Sequence, residues 1–219
     1  MRRYARGVLS LDNVLLPAPE AGVMLDARDL FATANLRLDC AHVELEIGCG
    51  KGGFLVRQAT EHPERGYLGI EWANQIVRYA ADRMVRRGLS NVRLIRTDAR
   101  NFVVHHLAAA SLQAMHVYHP DPWPKKRHHK RRLFQPDFVA AAIRALAPGA
   151  RWAIQTDHLE YFEWIQRQLA PHVGGELRPV TFESTDSGVR PDATMGTNFE
   201  IKYLREGRAM YRLALQRTS

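Results

Sequence analysis

The sequence predicts a single α/β domain built on an open, doubly wound and mostly parallel sheet of seven strands. Three observations support this prediction. Apolar runs of strand length alternate with apolar stripes of helical period, the first run leads into a glycine-rich turn, and two alternating segments close the chain. Repeated strand and helix segments favour parallel strands joined by crossover helices, and 219 residues suit one large domain. We therefore predict an irregular lead-in over residues 1–40 and the domain over residues 41–219.

The first two strands and the helices after them have the clearest patterns. Residues 42–48 alternate apolar and polar side chains before the glycines, which predicts a strand, a turn and a helix that ends near Thr60. Residues 67–71 form a short apolar run that ends in an acid, as expected of a buried second strand. In the next helix apolar residues recur at four-residue spacing over residues 76–85, and Gly88 provides a C-terminal stop.

The alternation continues beyond Gly88 to the end of the chain. Three more strands are each followed by a helical segment, and a closing pair then adds an antiparallel strand near the C-terminus. Residues 184–196, between the closing strands, are polar and predict a loop. The predicted segments are strand 92–96, helix 101–110, strand 113–119, a helix around 139–146, strand 151–157, a helix around 159–169, and closing strands 177–184 and 208–216.

Composition narrows the class of partner. The 31 basic and 23 acidic residues give a net charge of +8, which favours anionic partners such as RNA, DNA or acidic membranes. No stretch has the length of a transmembrane helix or the form of a signal peptide, so we expect a cytoplasmic protein. Cys40 and Cys49 are predicted to be free thiols, and no Cys/His spacing of zinc type predicts a metal site.

The glycine-rich turn is a candidate cofactor site. Its glycines, Gly48, Gly50 and Gly52, do not have the spacing of a dinucleotide-binding turn, and Glu46 before them would repel a pyrophosphate. Glu71 follows Gly50 by 21 positions, where an acid can bind ribose hydroxyls. S-adenosylmethionine fits this pattern, because it has a sulfonium, an ammonium and a ribose but no phosphate. A turn that binds nothing is the structural alternative.

Three further acids lie at the predicted ends of strands. Asp98, Asp121 and Asp157 should meet Glu71 at one sheet edge, because parallel strands present their carboxyl ends together. Asp98 with Ala99 would suit the adenine amino group. Each acid also has a structural alternative: Asp98 and Asp157 could cap helices, and Asp121 could begin an Asp-Pro turn.

A dense cationic run follows Asp121 in the segment PDPWPKKRHHKRR, residues 120–132. Such clustering attracts phosphate backbones, although a solvated loop is the alternative. Trp123, within the rigid acidic turn, could stack on an exposed base or pack in the core. The residues predicted to attract phosphates are Lys125, Lys126, Arg127, Lys130, Arg131 and Arg132.

These motifs, in this order, resemble the bacterial tRNA (guanine-N7)-methyltransferase family. The resemblance covers residues 44–213 and includes the glycine turn, Gly69-Ile70-Glu71, Asp98-Ala99, PDPWPKKRHHKRR, Thr156-Asp157 and a TNFE segment at 197–200. The glycine turn is generic to methyltransferases, whereas PDPWPKKRH followed by TNFE is specific. His119 departs from the family pattern, which usually has an aromatic or other apolar residue before the proline.

The resemblance implies a Rossmann-like class I methyltransferase fold and methyl transfer from S-adenosylmethionine to N7 of a tRNA guanine, the variable-loop guanosine at tRNA position 46. It also implies that Asp121 is catalytic, and it implies no obligate protein partner. Expected cofactor contacts are Glu46, Gly48, Gly50, Glu71, Asp98, Ala99 and Asp121. Expected tRNA contacts are Lys125, Lys126, Arg127, Asp157, Thr197, Asn198, Phe199 and Glu200.

Guanine N7 has an in-plane lone pair and no proton to lose, so attack on a methyl group needs alignment more than a base. We therefore expect Asp121 to orient the guanine and to offset its growing positive charge. Two other functions stay open from the sequence: a noncatalytic RNA-binding protein with a methyltransferase fold, and a methyltransferase for another substrate. A nicotinamide dehydrogenase explains neither the glycine spacing nor the cationic run.

Overall fold

The computed structural model describes residues 11–32, 42–183 and 209–219, which include an eight-stranded sheet. Across the sheet the strands lie in the order β1-β4-β3-β2-β5-β6-β8-β7, and β8 runs in the direction opposite to the other seven. In chain order they are β1 (Leu15–Leu16), β2 (Val43–Ile47), β3 (Gly66–Glu71), β4 (Val92–Arg96), β5 (Leu112–Tyr118), β6 (Leu146–Thr156), β7 (Leu177–Val180) and β8 (Tyr211–Arg217).

Helices cover both faces of the sheet, with α2 and α3 on one face and α4, α5 and α6 on the other. Among the described residues, no helix is long and apolar enough to cross a membrane. The helices are α1 (Asp29–Ala32), α2 (Gly53–Glu61), α3 (Asn74–Arg86), α4 (Ala99–His105), α5 (Pro136–Ala145) and α6 (Leu159–Leu169). The predicted doubly wound, mostly parallel fold with an antiparallel strand near the C-terminus is confirmed.

Two hydrophobic layers form the core because successive side chains of a strand point to opposite faces. In β2, Val43, Leu45 and Ile47 pack into the layer of α4, α5 and α6. The alternation in this strand predicted a polar face, yet Glu44 and Glu46 are 6% and 2% exposed, because α2 and α3 cover that face as well. Burial of these two acids requires polar partners inside the sheet.

Glu44 has a set of basic partners at the start of β2. Its Oε2 lies 2.9 Å from His116 Nε2, and its Oε1 lies 2.9 Å from His42 Nε2 and 3.2 Å from Arg65 Nη1. His116 Nδ1 is in turn 2.9 Å from the Tyr118 hydroxyl. Burial raises the pKa of Glu44, but the hydrogen bonds with His116 and His42 outweigh it and hold the pKa well below its ordinary value.

Four segments differ from the sequence prediction, and one of them is β7, which ends at Val180 instead of residue 184. The helix predicted at 101–110 is α4, Ala99–His105, which is displaced toward the N-terminus and shorter. At its C-terminal end the Arg144 guanidinium donates to the carbonyls of Val103, Val104 and Leu107, each at 3.2 Å, and so satisfies carbonyls that have no partner within the helix. Strand β6 begins five residues before the predicted strand 151–157, at Leu146. The lead-in contributes β1, which pairs with β4 and makes the eighth strand.

The order of the strands reverses at β2 and β5. From β2 the chain moves outward to β3 and β4, and it then returns to the other side of β2 with β5 and β6. The loops after β2 and β5 therefore diverge and leave a crevice at the carboxyl edge of the sheet, which is where open α/β sheets bind ligands.

Candidate active site

The glycine-rich turn after β2 opens toward the carboxyl edge of the sheet. Gly48 and Gly50 have φ of 71° and 52°, a left-handed conformation that favours glycine. The Gly48 and Cys49 N–H groups both donate to the carbonyl of Ile70, at 2.8 and 3.0 Å. A Cβ added to Gly48 or Gly50 would meet no atom within 4 Å, so a ligand could approach the backbone of this turn closely.

Glu71, at the end of β3, fixes the other side of this turn. Its Oε2 accepts a hydrogen bond from Gly50 N at 3.0 Å, and its Oε1 accepts one from Ala73 N at 2.9 Å. The spacing of 21 residues thus brings the acid and the glycine together, as predicted. Both backbone contacts restrict the orientation of the carboxylate at the sheet edge.

A negative potential surrounds the thiol of Cys49 within the turn. Burial raises the pKa of Cys49, and the charges of Glu46 and Glu71 raise it further. Both acids are therefore close enough to act on the middle of the turn. Lys51, the cation of the turn, has its Nζ over the Tyr79 ring, 5.7 Å from the centroid. This arrangement disfavours a pyrophosphate and favours a cationic ligand.

Gly69, whose packing role was not predicted from the sequence, lets the turn and α2 lie against β3. A Cβ at Gly69 would be 2.6 Å from Leu55 Cδ1, 2.6 Å from Leu94 Cδ2 and 3.1 Å from Cys49 Sγ. An added Cβ would therefore force the buried side chains of Leu55 and Leu94 to shift within a close-packed core. A glycine inside an apolar strand is the sequence signal that could have identified this close approach.

Asp98 and Ala99 lie at the carboxyl end of β4. Asp98 is the N-cap of α4 and accepts a hydrogen bond from Asn101 N at 2.7 Å, so the capping alternative for this acid is confirmed. Ala99 is the first residue of the helix and is half-buried. Their contact with an adenine stays a prediction.

Asp121 lies in an exposed loop between two residues of left-handed conformation. His119 has φ of 50° and Trp123 has φ of 42°. A non-glycine residue in this region costs about 1 to 2 kcal/mol, so the surrounding contacts must hold the loop in place. The loop follows β5, and because β5 pairs with β2, Asp121 stands at the same edge as the glycine turn.

Arg132 holds this loop against α6. Its Nε donates to the carbonyl of Pro122 at 2.9 Å, and its two terminal nitrogens lie 3.0 and 2.5 Å from the carboxylate oxygens of Glu160. The guanidinium lies over the rings of Tyr161 and Trp164, 5.1 and 4.9 Å from their centroids. Arg132 is 0% exposed, so the prediction that it attracts phosphates is wrong.

The rest of the cationic run faces outward on a 3-10 helix, Lys126–Arg131. Trp123, which is half-buried, packs against this helix rather than in the core, with Arg131 over its ring at 5.0 Å and His128 edge-on at 5.8 Å. Direct binding by these cations stays a prediction. The exposed cations are Lys125, Lys126, Arg127, Lys130 and Arg131.

Asp157 follows β6 and does not cap α6. The N-cap is His158, whose Nδ1 accepts a hydrogen bond from Tyr161 N at 3.2 Å. The Asp157 Oδ1 instead lies 3.4 Å from His119 Nδ1. Because β5 and β6 are neighbours, this contact joins the two loops that carry Asp121 and Asp157.

Similarity to known proteins agrees with this arrangement. A family model described as "Putative methyltransferase" matches residues 41–213. A tRNA (guanine-N(7)-)-methyltransferase of Alkalilimnicola ehrlichii is 39% identical over 200 residues, which cover 90% of this chain and 79% of that protein. A protein of the same description from Halorhodospira halophila is 38% identical over 200 residues, which cover 89% of this chain and 80% of that protein. This chain belongs to the tRNA (guanine-N7)-methyltransferase family.

A solved structure supports the fold of this family member independently of sequence. The aminoglycoside resistance methyltransferase NpmB1 superposes with a TM-score of 0.58 at 13% identity, covering 87% of this chain and 93% of that one. At this identity the likeness shows the fold alone. The predicted class I methyltransferase architecture is therefore confirmed.

S-adenosylmethionine, the methyl donor implied for this family, fits the residues at the glycine turn. Two glycine positions leave open space above the backbone, and the acids Glu46 and Glu71 provide negative charge beside it. A ligand with a ribose and two cationic groups matches that combination, whereas a phosphate-bearing ligand does not. The predicted tRNA contacts Thr197, Asn198, Phe199 and Glu200, the loop at 184–196 and Cys40 lie outside the described residues.

Proposed function

We propose that this chain transfers a methyl group from S-adenosylmethionine to N7 of a guanine in tRNA, and that Asp121 orients the guanine. The observation that carries the proposal is the placement of Asp121. It is an exposed acid at the crevice between β2 and β5, with the glycine turn on one side and an outward-facing cationic helix on the other. The proposed contacts to the cofactor, to the guanine and to the tRNA phosphates would therefore be neighbours along the sheet edge.

The cofactor side of the proposed site is formed by the glycine turn and two strand ends. When bound, S-adenosylmethionine supplies an electrophilic methyl group on a positively charged sulfur. Glu46 and the backbone at Gly48 and Gly50 would hold its cationic part, and Glu71 would accept hydrogen bonds from the ribose hydroxyls. On the β4 side, Asp98 and Ala99 would contact the adenine. These roles are part of the proposal.

Asp121 would act by alignment and charge rather than by removing a proton. Guanine N7 attacks with a lone pair and becomes part of a cationic base, so no general base is required. A carboxylate near that base accepts hydrogen bonds from it and stabilises the charge that develops. The left-handed residues His119 and Trp123 on either side of Asp121, together with the hydrogen bond from Arg132 to Pro122, hold the backbone that carries this carboxylate.

The tRNA side would use both charge and shape. The exposed cations Lys125, Lys126 and Arg127 begin the 3-10 helix segment and would neutralise phosphates without reading sequence. Asp157 and the TNFE segment, residues 197–200, would complete the substrate contacts. A cytoplasmic location is proposed with this activity, since tRNA is the substrate.

The activity is tested by incubating the protein with unmodified tRNA and labelled S-adenosylmethionine and locating the product by mass spectrometry. We expect 7-methylguanosine. In the Asp121→Asn variant we expect kcat to fall about 100-fold or more, with tRNA affinity within a few-fold, because the variant keeps the shape of the side chain and loses its charge.

Asp137→Asn is the matched control, because Asp137 is an exposed acid on α5 that pairs with Arg100 and has no role in the proposed site. Near-normal turnover of Asp121→Asn would contradict the role of Asp121. Binding of tRNA without any methyl transfer by the wild-type protein would instead indicate the noncatalytic alternative.

A further inference from the structure

Four polar side chains form a continuous chain from β8 to the end of β6, and His119 is its third member. Arg212 Nε donates to Gln155 Oε1 at 2.9 Å, Gln155 Nε2 lies 3.1 Å from His119 Nε2, and His119 Nδ1 lies 3.4 Å from Asp157 Oδ1. Gln155 is 0% exposed, and the His119 side chain is 8% exposed. We call these four residues the His119 chain.

The direction of each hydrogen bond in the His119 chain follows from chemistry. Arginine can only donate, so Gln155 Oε1 faces Arg212 and the Gln155 amino group faces His119. His119 Nε2 must then accept, which leaves the proton of the neutral ring on Nδ1. That Nδ1–H donates to Asp157. The contacts therefore select one tautomer of His119.

The backbone of His119 also sets the start of the Asp121 loop. Its N–H donates to the carbonyl of Gln155 at 2.8 Å, which continues the pairing of β5 with β6. The φ of His119 itself is 50°, in the left-handed region, and the chain leaves the sheet at this residue. One residue thus fixes both the path toward Asp121 and a hydrogen bond to Asp157.

We propose that His119 is a positioning residue for methyl transfer, and that its Nδ1–H holds the Asp157 carboxylate in a fixed orientation at the edge where Asp121 lies. The inference rests on the proposed function. Guanine has two hydrogen-bond donors, N1–H and the N2 amino group, on the edge away from N7. With its orientation fixed, Asp157 can accept from one of these donors while Asp121 accepts from the other, and the base is then held with N7 free to react.

The His119 chain requires a neutral imidazole. A proton on Nε2 would face the amino group of Gln155, and two donors cannot form a hydrogen bond. Burial lowers the pKa of His119, Asp157 acts in the opposite direction, and the charge of Arg212 lowers it further. Among the described residues, Asp157 from the end of β6 and Arg212 from β8 are the charged groups that act on this ring. Activity should fall as the pH drops through that lowered pKa.

Two substitutions of His119 separate its contact with Gln155 from its contact with Asp157. His119→Asn keeps a nitrogen donor at the position of Nδ1 and tolerates the left-handed backbone, but it cannot reach Gln155. His119→Gln reaches toward Gln155 and loses the donor to Asp157. We expect kcat to stay within about 3-fold of wild type for Asn and to fall about 10- to 100-fold for Gln, with KM for S-adenosylmethionine unchanged.

Thermal unfolding of both variants controls for strain, since glutamine tolerates the left-handed conformation less well than asparagine. Equal losses of kcat in the two variants would overturn the proposal, because they would indicate a purely structural role. The proposal would also be overturned if both variants kept the wild-type kcat. The wild-type kcat should also fall at pH values below the ordinary histidine pKa of 6.5, and this inflection should be absent from His119→Asn.

A double-variant cycle with Asp157→Asn tests whether His119 acts through that acid. If it does, the effects of His119→Gln and Asp157→Asn on kcat are not additive, and the double variant resembles Asp157→Asn alone. Additive losses would contradict the proposal. Absence of methyl transfer by the wild-type protein would contradict the proposed function itself, and the two failures are therefore distinguishable.

Discussion

The central strands β2 and β5 carry two polar clusters of opposite character. Inside the sheet, Glu44 is buried and has three basic partners, His116, His42 and Arg65. Beyond the carboxyl end of β5, Asp121 is exposed in a loop whose flanking residues are in a left-handed conformation. The comparison shows that position along the strand determines what an acid does. Glu44, near the start of β2, is neutralised by its partners, whereas Asp121, past the end of β5, is accessible to a ligand.

The largest expected effect on stability concerns the inner cluster, which is Glu44 with its partners His116, His42 and Arg65. Glu44→Gln removes a buried charge that three basic side chains surround, and we expect the free energy of unfolding to fall by about 3 kcal/mol. Urea denaturation measures this change. Asp137→Asn, which breaks an exposed ion pair with Arg100, should change it by less than about 1 kcal/mol. Equal effects of the two substitutions would remove the distinction between the clusters.

The inner cluster should also make stability depend on pH. The pKa of Glu44 is lowered in the folded chain, so its stabilising contribution is present above the ordinary value of 4.5. The contribution is lost as the pH falls below 4.5 toward the lower pKa of the folded state. Urea denaturation of Glu44→Gln and wild type at several acidic pH values should therefore converge.

Arg131 and Arg132 provide the next test of the loop that carries Asp121, because the first is exposed and the second is buried beside that loop. Arg132→Lys loses the forked contact with Glu160 and the stacking on Tyr161 and Trp164, and it should cost about 2 kcal/mol of stability. Arg131→Ala, one residue earlier, should cost less than about 0.5 kcal/mol. Thermal denaturation compares the two. A larger loss for Arg131→Ala would contradict the assignment of Arg132 as the anchor of the loop.

The smallest effect on stability is expected for the exposed cations, which should act on tRNA binding instead. Replacing Lys125, Lys126 and Arg127 together with alanine should leave stability unchanged and weaken tRNA binding. The slope of log affinity against log salt should decrease by about 2, since each phosphate contact contributes roughly 0.7 to 0.9. Filter binding at several salt concentrations gives this slope. An unchanged slope would assign the three residues to a solvated surface.

Local patterns predicted most of the fold. The strand at 92–96 and the turn at Gly48 to Gly52 follow from short-range periodicity and from backbone conformations that favour glycine, and the structure contains both. The spacing from Gly50 to Glu71 also reflects one repeating unit of strand and helix. Features encoded within about 20 residues could therefore be predicted from the chain alone.

Features that depend on distant contacts could not be predicted. Arg132 was indistinguishable from its cationic neighbours in the sequence, because its partner Glu160 lies 28 residues further along and on another helix. The burial of Glu44 depends on a helix layer over the polar face of β2. His119 was a departure without a role until β6 and β8 placed Gln155 and Arg212 beside it.

The two outermost strands bear on how copies of this molecule behave in solution. Strand β1 has two residues and lies against β4, and β7 has four residues, including Pro179, which has no N–H to donate. Long unprotected edges invite pairing with a second chain, whereas short or proline-bearing ones disfavour it. Within the part of the chain that the structure describes, both edges of the sheet therefore have features that disfavour edge-to-edge pairing.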